Sequence, residues 1–401
     1  MNIILFDNDL RNRFLPLTYT RPVCEIRVGI LTIKEKWEKW LGGDVSFITQ
    51  DYLSEKYPID LRKDNYLING SVLPSEHLCK LISQMEINEA FLKDGELIAA
   101  RINDEQFEML LDDQDIEELE GVDLNDTPFL KLNNIWDIFK VNKQAIEDDF
   151  RLLTRKRESQ PLSKTNTVIG DGQIFLEEGA KVECSILNVT EGPIYIGKNA
   201  EIMEGCMVRG GLALCDHAVL KMGAKVYGAT TLGPHCKVGG EVSNSILLGY
   251  SNKAHDGYLG NSVLGEWCNL GADTNVSNLK NNYAEVKLWN YFSEKFDPTG
   301  LQFCGLIMGD HSKAGINTMF NTGSVVGCCA NIFGSGFPRN FIPSYAWGGA
   351  SGFSTFTTDK AFETIEKVME RRGIPFDTKD RLIMLRVFEE SAKFRKWEKR
   401  E

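Results

Sequence analysis

No stretch of this chain of 401 residues approaches the roughly 20 uninterrupted apolar residues that a membrane helix needs, so the sequence predicts no membrane span. Basic residues are outnumbered, 45 Lys and Arg against 57 Asp and Glu, and the formal net charge is −12. That balance argues against a general nucleic-acid binder, because neutralising phosphates needs a basic face. The 10 cysteines include no CxxC spacing, and their one adjacent pair is Cys328-Cys329. Several fall inside the repeats described below, so they read as small buried apolar residues, supporting neither a zinc site nor a disulfide framework. The amino terminus, MNIILFDNDLRNRF, turns polar too early for the apolar core of a signal peptide, and a cytoplasmic location is the expectation. Any anionic substrate must then be met by a local cluster of Arg, Lys and backbone amides.

What is present is a repeat. From Ile196 an aliphatic residue returns at every sixth position: Ile196, Ile202, Val208, Leu214, Leu220, Val226, Leu232, Val238. A second run with the same spacing is Met308, Ala314, Phe320, Val326, Ile332. A period of six is neither the helical 3.6 nor strand alternation. It fits a coil of three short strands, each hexapeptide giving one flat face and one turn, with stacked coils burying a continuous aliphatic column. The spacing predicts a parallel β-helix over 166–345, and such hexapeptide coils are known for left-handed winding. The repeat is interrupted at LKNNYAEVKLWNYFSEKFDPTGLQF, residues 279–303, whose Lys and aromatic content suggests a loop covering a ligand.

The length favours two or three domains. Residues 1–155 alternate strand-like runs (NIILF, VSFIT, NYLING) with a helical pattern (RVGILTIKEKWEKWLG), which predicts an α/β, Rossmann-like domain with a parallel sheet. The acidic run DEQFEMLLDDQDIEELE reads as a solvated helix face, and TRKRESQPLSKTN as a linker. Residues 357–401 read as two amphipathic helices, with Thr358 or Asp359 capping the first and Asp377 or Thr378 the second. They are expected to cover the solenoid or a neighbouring subunit.

The chain has 5 histidines. His217 and His235 occupy turn positions of the repeat, where a histidine has no need of a chemical role. His255 differs by standing three residues before Tyr258 and fourteen before Asn269, and histidine titrates near neutral pH without a large shift, as a general base must. Tyr258 can donate a hydrogen bond, and Lys253 can hold a phosphate.

The stretch NKAHDGYLGNSVLGEWCNLGADTNVSNLK, residues 252–280, resembles the acetyltransferase half of the GlmU family, the bifunctional sugar-1-phosphate nucleotidylyltransferases and acetyltransferases. FCGLIMGDHSKAGINTMF, residues 303–320, resembles the coil of that family beside which acetyl-CoA lies. The resemblance implies that His255 is the general base, that Tyr258 and Asn269 bind an amino sugar phosphate, and that Asn278 lines the acetyl-donor side. It implies further that Ala272 offers its backbone to the thioester, with Gly315 and Ile316 touching the pantetheine arm. It also implies a homotrimer and a place in UDP-N-acetylglucosamine synthesis. Where the family often has paired lysines, this chain has Ser243 and Asn244, so phosphate anchoring falls to Lys225, Lys253, Lys280 or Lys287. The front region resembles the family's nucleotidylyltransferase domain more distantly. Its nucleotide-binding candidates are Arg11, Arg13, Arg21, Asn69 and Gly70. It lacks the family's glycine-rich loop, and Asn69 replaces an aspartate that binds Mg²⁺, which weakens a hard-cation site. Two other readings stay open: nucleotidyl transfer alone with the β-helix as a trimerisation rod, or a nucleotide-sugar sensor without catalysis.

Overall fold

The computed structural model describes residues 1–111, 119–124 and 126–398. It divides into two compact units, the first comprising residues 1–14, 21–26 and 31–134, the second 15–20, 27–30 and 135–401. Among the described residues no helix is long and apolar enough to cross a membrane.

The first unit holds a six-stranded sheet of β1 (Asn2–Phe6), β2 (Asp44–Ile48), β3 (Asn65–Asn69), β4 (Glu89–Lys93), β5 (Glu96–Ile102) and β6 (Glu120–Asp123), in the order β2-β1-β3-β5-β4-β6. The expected parallel arrangement holds for β2, β1 and β3. It fails at β5, which runs antiparallel to β3 and β4. The cause is local: Asp94-Gly95, at φ +52° and +77°, turns β4 straight back into β5, the two-residue Asp-Gly hairpin signal. Helices α1 (Ile33–Leu41), α2 (Asp51–Ser54), α3 (Glu76–Ser83) and α4 (Asp104–Leu111) belong to this unit. Thr32 and Glu35 close a capping box on α1, and buried Trp37 donates through Nε1 to the Val72 carbonyl at 3.0 Å. The acidic run begins in α4, and its residues 112–118 lie outside the described residues.

In the second unit, α5 (Asp137–Lys140) and α6 (Asn142–Thr154) precede a parallel β-helix with three faces. The first face has six strands, from Thr167–Ile169 to Tyr258–Gly260. The second has nine, from Ile174–Leu176 to Phe341–Ile342. The third has ten, from Lys181–Val182 to Gly352–Thr355, the last closing as an antiparallel hairpin. Every residue of both six-residue runs lies in one buried cluster, so the repeat is the column that the coils stack around. One corner takes its residues in the left-handed region, among them His217, His235, Tyr250, Trp267 and His311. Their rings form a stack, with centroid spacings of 4.7, 4.9, 4.2 and 6.1 Å. His217 and His235 are thus corner residues in a ladder of rings.

Residues 279–303 leave the solenoid as expected, but they form an anchored hairpin, Lys287–Asn290 against Lys295–Pro298. Trp289 stacks on Phe341 at 4.2 Å, and buried Tyr291 packs edge-on to Tyr19, Phe341 and Phe394. Helices α7 (Thr358–Glu370) and α8 (Thr378–Ser391) follow the solenoid. Asp377 caps α8 through Asp380 N–H, as the sequence predicts. The cap of α7 is Thr357, one residue before the expected pair, and it makes no side-chain bond. α8 seats on the solenoid's end, where Tyr345 Oη donates to the Met384 carbonyl at 2.7 Å.

Leu220 is fully buried in the column. Leu220→Ala is expected to cost about 2–5 kcal/mol, read as a lower urea midpoint. A loss within experimental error would show that the column does not hold the coils together.

Candidate functional site

His255 stands where the chain leaves Asn252–Lys253 on the third face and turns toward Tyr258–Gly260 on the first. Its side chain is exposed and has no hydrogen-bond partner among the described residues. It lines a cleft of about 670 Å³ between the third face and the carboxyl end of α7. Asn269, Ala272 and Ile316 line the same cleft. Leu270 pairs with Ala314 in adjacent coils, which sets Gly315 and Ile316 directly beside Gly271 and Ala272. Ile316 is 71% exposed, unusual for an isoleucine.

Lys253 is placed differently from the expectation that it holds a phosphate. It occupies an inward position, between Val238 and Leu270 in a row otherwise aliphatic, and is 1% exposed. Its ammonium donates to the carbonyls of Gly239, at 3.1 Å, and His255, at 2.9 Å. Burial pushes its pKa down to about 8, against partial support from Asp256 and Asp273. It therefore ties down the backbone of the histidine corner.

Tyr258 and Asn278 lie around that corner, on and beside the first face, outside the cleft. Asn278 donates to Tyr258 Oη at 3.0 Å and to Asn261 at 2.8 Å. Lys225 shares this row, in register with Glu241 and Tyr258, but its ammonium is 3.9 Å from the Glu241 carboxylate, which also accepts from Tyr227. Lys280 donates to the Glu285 carbonyl, Lys287 is exposed on the hairpin, and no residue of 279–303 lines the cleft. Within one chain the expected site residues thus fall into two groups on adjacent faces.

Sequence reasoning missed the cleft's own cations. Its floor carries Lys237, Asn252, Asn269 and Lys313 side by side in register, and Arg371 and Arg372 come in from the end of α7. The signal was the basic pair after the first carboxyl-terminal helix, but only packing reveals which face it meets. Burial and the nearby Arg372, Lys221 and Arg371 hold the Lys237 pKa down.

In the first unit, polar residues gather at the carboxyl ends of β1 and β3, where the strand order reverses and where ligands of such sheets bind. Glu96 is the hub, accepting from Asn8 at 2.6 Å, from Asn69 at 3.1 Å and from Lys131. Asn69 is otherwise satisfied by Leu97 and Ser71, and the Gly70 N–H donates to the Phe6 carbonyl. Arg11 and Arg21 are 4% and 6% exposed. Arg11 is held by Asp7 and Tyr52, so its guanidinium is structural, while Arg13 is half-buried. Burial raises the pKa of Asp7, although Thr49, the Val23 N–H and Arg11 all oppose the shift.

Residues 3–158 match the family model described as sugar nucleotidyl transferase. The chain is similar to the bifunctional sugar-1-phosphate nucleotidylyltransferase/acetyltransferase of Sulfurisphaera tokodaii, at 30% identity over 207 residues, 51% of this chain and 45% of that protein. It is similar to the bifunctional protein GlmU of Synechococcus elongatus at 23% identity over 255 residues, 58% of this chain and 52% of that protein. The chain thus spans about half the length of these curated relatives. A crystal structure of the polySia-specific acetyltransferase NeuO aligns with 48% of this chain and 87% of its own, at 12% identity and a TM-score of 0.26.

The donor set at β1 and β3 does not fit a Mg²⁺ site built by the protein alone. The Glu96 carboxylate is matched by an ammonium, and among the described residues no three metal-ligating side chains converge.

Lys253→Met removes a buried charge from an aliphatic row while keeping its length, so the fold should be as stable or more stable at pH 7. The lysine's folded pKa, about 8, lies below its ordinary 10.5, so the unfolded chain binds more protons between those values. Wild-type stability should therefore rise across that window, and the advantage of Lys253→Met should shrink from pH 8 to 10.5. Paired thermal melts check this, and a constant gap would contradict the burial argument.

Proposed function

We propose that the β-helix transfers an acetyl group from acetyl-CoA to the amine of an amino sugar 1-phosphate such as glucosamine 1-phosphate, and that the front domain transfers a nucleotidyl group to the sugar 1-phosphate. The observation that carries the first half is the gathering of His255, Asn269, Ala272 and Ile316 in one cleft. The neutral amine attacks the thioester carbonyl, the C–N bond forms, and His255 accepts the amine proton. The C–S bond then breaks, and the proton passes to the departing thiolate. Ala272 accepts the Asn317 N–H through its carbonyl, while its own N–H has no partner among the described residues and is available to the thioester oxygen. Ile316 offers apolar surface to the pantetheine arm. Much of the rate comes from holding both substrates in one cleft.

The second half rests on the family match and on the polar group around Glu96 at the strand ends, with Asn8, Asn69 and Lys131 as the residues nearest a bound nucleotide. The reading includes a homotrimer in the cytoplasm. Tyr258, Asn278 and Lys225 sit around the corner from the cleft, so a neighbouring solenoid would be needed for both groups to meet one substrate.

Release of CoA thiol from acetyl-CoA and glucosamine 1-phosphate should fall about 10²–10⁴-fold in His255→Ala, with the melting temperature unchanged because the side chain is exposed. Equal turnover in wild type and variant would remove His255 from the mechanism. No turnover in a folded wild type would leave nucleotidyl transfer, with the β-helix as scaffold.

A further inference from the structure

We infer that the cleft under α7 is a phosphate site, with Lys237, Arg371 and Arg372 as its anchors, and that the end of α7 is part of the ligand site as well as a cover for the solenoid. None of these three cations is in an ion pair among the described residues. The cleft's lining contains four cationic side chains and no carboxylate, in a protein with 57 acidic residues; one of the four, Lys313, donates to the carbonyls of Trp267 and His311. An arginine at a helix's carboxyl end is favoured by the helix dipole alone, but that does not explain why the strand row beneath it bears an exposed Lys237 beside two amides. Like charges brought together without counter-charges raise the energy of the empty site and lower it when an anion enters. In the same floor, Asn252 Oδ1 is buried without a partner, an acceptor left for a ligand hydroxyl.

The other candidate lysines do not compete for this role. Lys225 faces Glu241, Lys253 is spent on two carbonyls, and Lys280 on another. The shared chemistry is a phosphate monoester or diester, which either the acceptor sugar 1-phosphate or the nucleotide portion of the acyl donor can supply. The inference deepens the acyl-transfer reading of this cleft, but its test measures binding without turnover, so the two can fail separately.

The experiment is calorimetric titration of the full chain with glucosamine 1-phosphate and, separately, with adenosine 3′,5′-bisphosphate. Wild type, the double variant Arg371→Gln/Arg372→Gln and the single variant Lys237→Gln are compared. Charge-assisted contacts predict a loss on the order of 10-fold or more for at least one probe in the double variant, and a weaker dependence on NaCl than in wild type. A loss confined to the sugar phosphate assigns the site to the acceptor, and one confined to the bisphosphate assigns it to the donor. Either supports the inference. These side chains are partly or fully exposed, and matching melting temperatures would confirm that the variants fold. Unchanged affinity for both probes in both variants, or a folded wild type that binds neither, overturns it. Phosphate binding by a folded wild type that shows no acetyl transfer would sink the proposed reaction and leave this site standing.

Discussion

The second unit depends on the aliphatic column inside the coils. Because each coil must return an apolar residue to the same inward row, the outward residues of successive coils are forced into rows as well, about 4.8 Å apart. Lys237, Asn252, Asn269 and Lys313 become neighbours for this reason alone. The column also explains why Lys253 is tolerable inside it. Its stem fills the place of a Val or Leu, and its ammonium finds two carbonyls at the corner, so the charge is buried but not orphaned.

The column is not perfectly regular, and the irregularity falls at the histidine. Partners on the third face lie 18 positions apart from Val219 to Lys237, 15 from Lys237 to Asn252 and 17 from Asn252 to Asn269. The shortened coil opens at Gly239-Gly240, where Gly240 adopts φ +71° and a Cβ on it would come within 2.9 Å of the His255 carbonyl oxygen. Lys253 ties this shortened coil to the histidine corner through the carbonyls of Gly239 and His255. The six-residue spacing read from the sequence stops at Val238 because the next inward residue is Val242, four positions on. The candidate histidine corner follows this break.

Much of the fold was legible because it repeats: one aliphatic position in six is a strong signal, and both runs proved to be column. β1, β2, β3 and α1 were legible from periodicity, whereas the antiparallel half of the first sheet was hidden in a single Asp-Gly pair. Of the residues named from the sequence, His255, Asn269, Ala272 and Ile316 line the cleft, whereas Tyr258 and Asn278 lie around the corner from it. Lys253 was misread because a lysine inside a column looks like a lysine on its surface when only spacing is known. Arg371 and Arg372 were missed because their place depends on how α7 lies on the third face. Glu96 was missed because it meets Asn8, Asn69 and Lys131 only through sheet pairing.

Charge and geometry together separate the two outward faces at the histidine corner. The first face carries Lys225, Glu241, Tyr227 and Tyr258 in a self-satisfied network, which an anion could enter only by displacing a carboxylate. The third face presents Lys237 with no such partner among the described residues, under a helix end that adds two cations. A substrate with a phosphate at one end and an amine at the other would be drawn by its charge to the third face. There the phosphate would sit among Lys237, Arg371 and Arg372, and the amine would be left to the end of the cleft where His255 stands. Under the acyl-transfer reading, this polarity removes the need for the paired lysines that Ser243 and Asn244 replace: the anchor has moved from the first face to the third and from the solenoid to the helix that follows it.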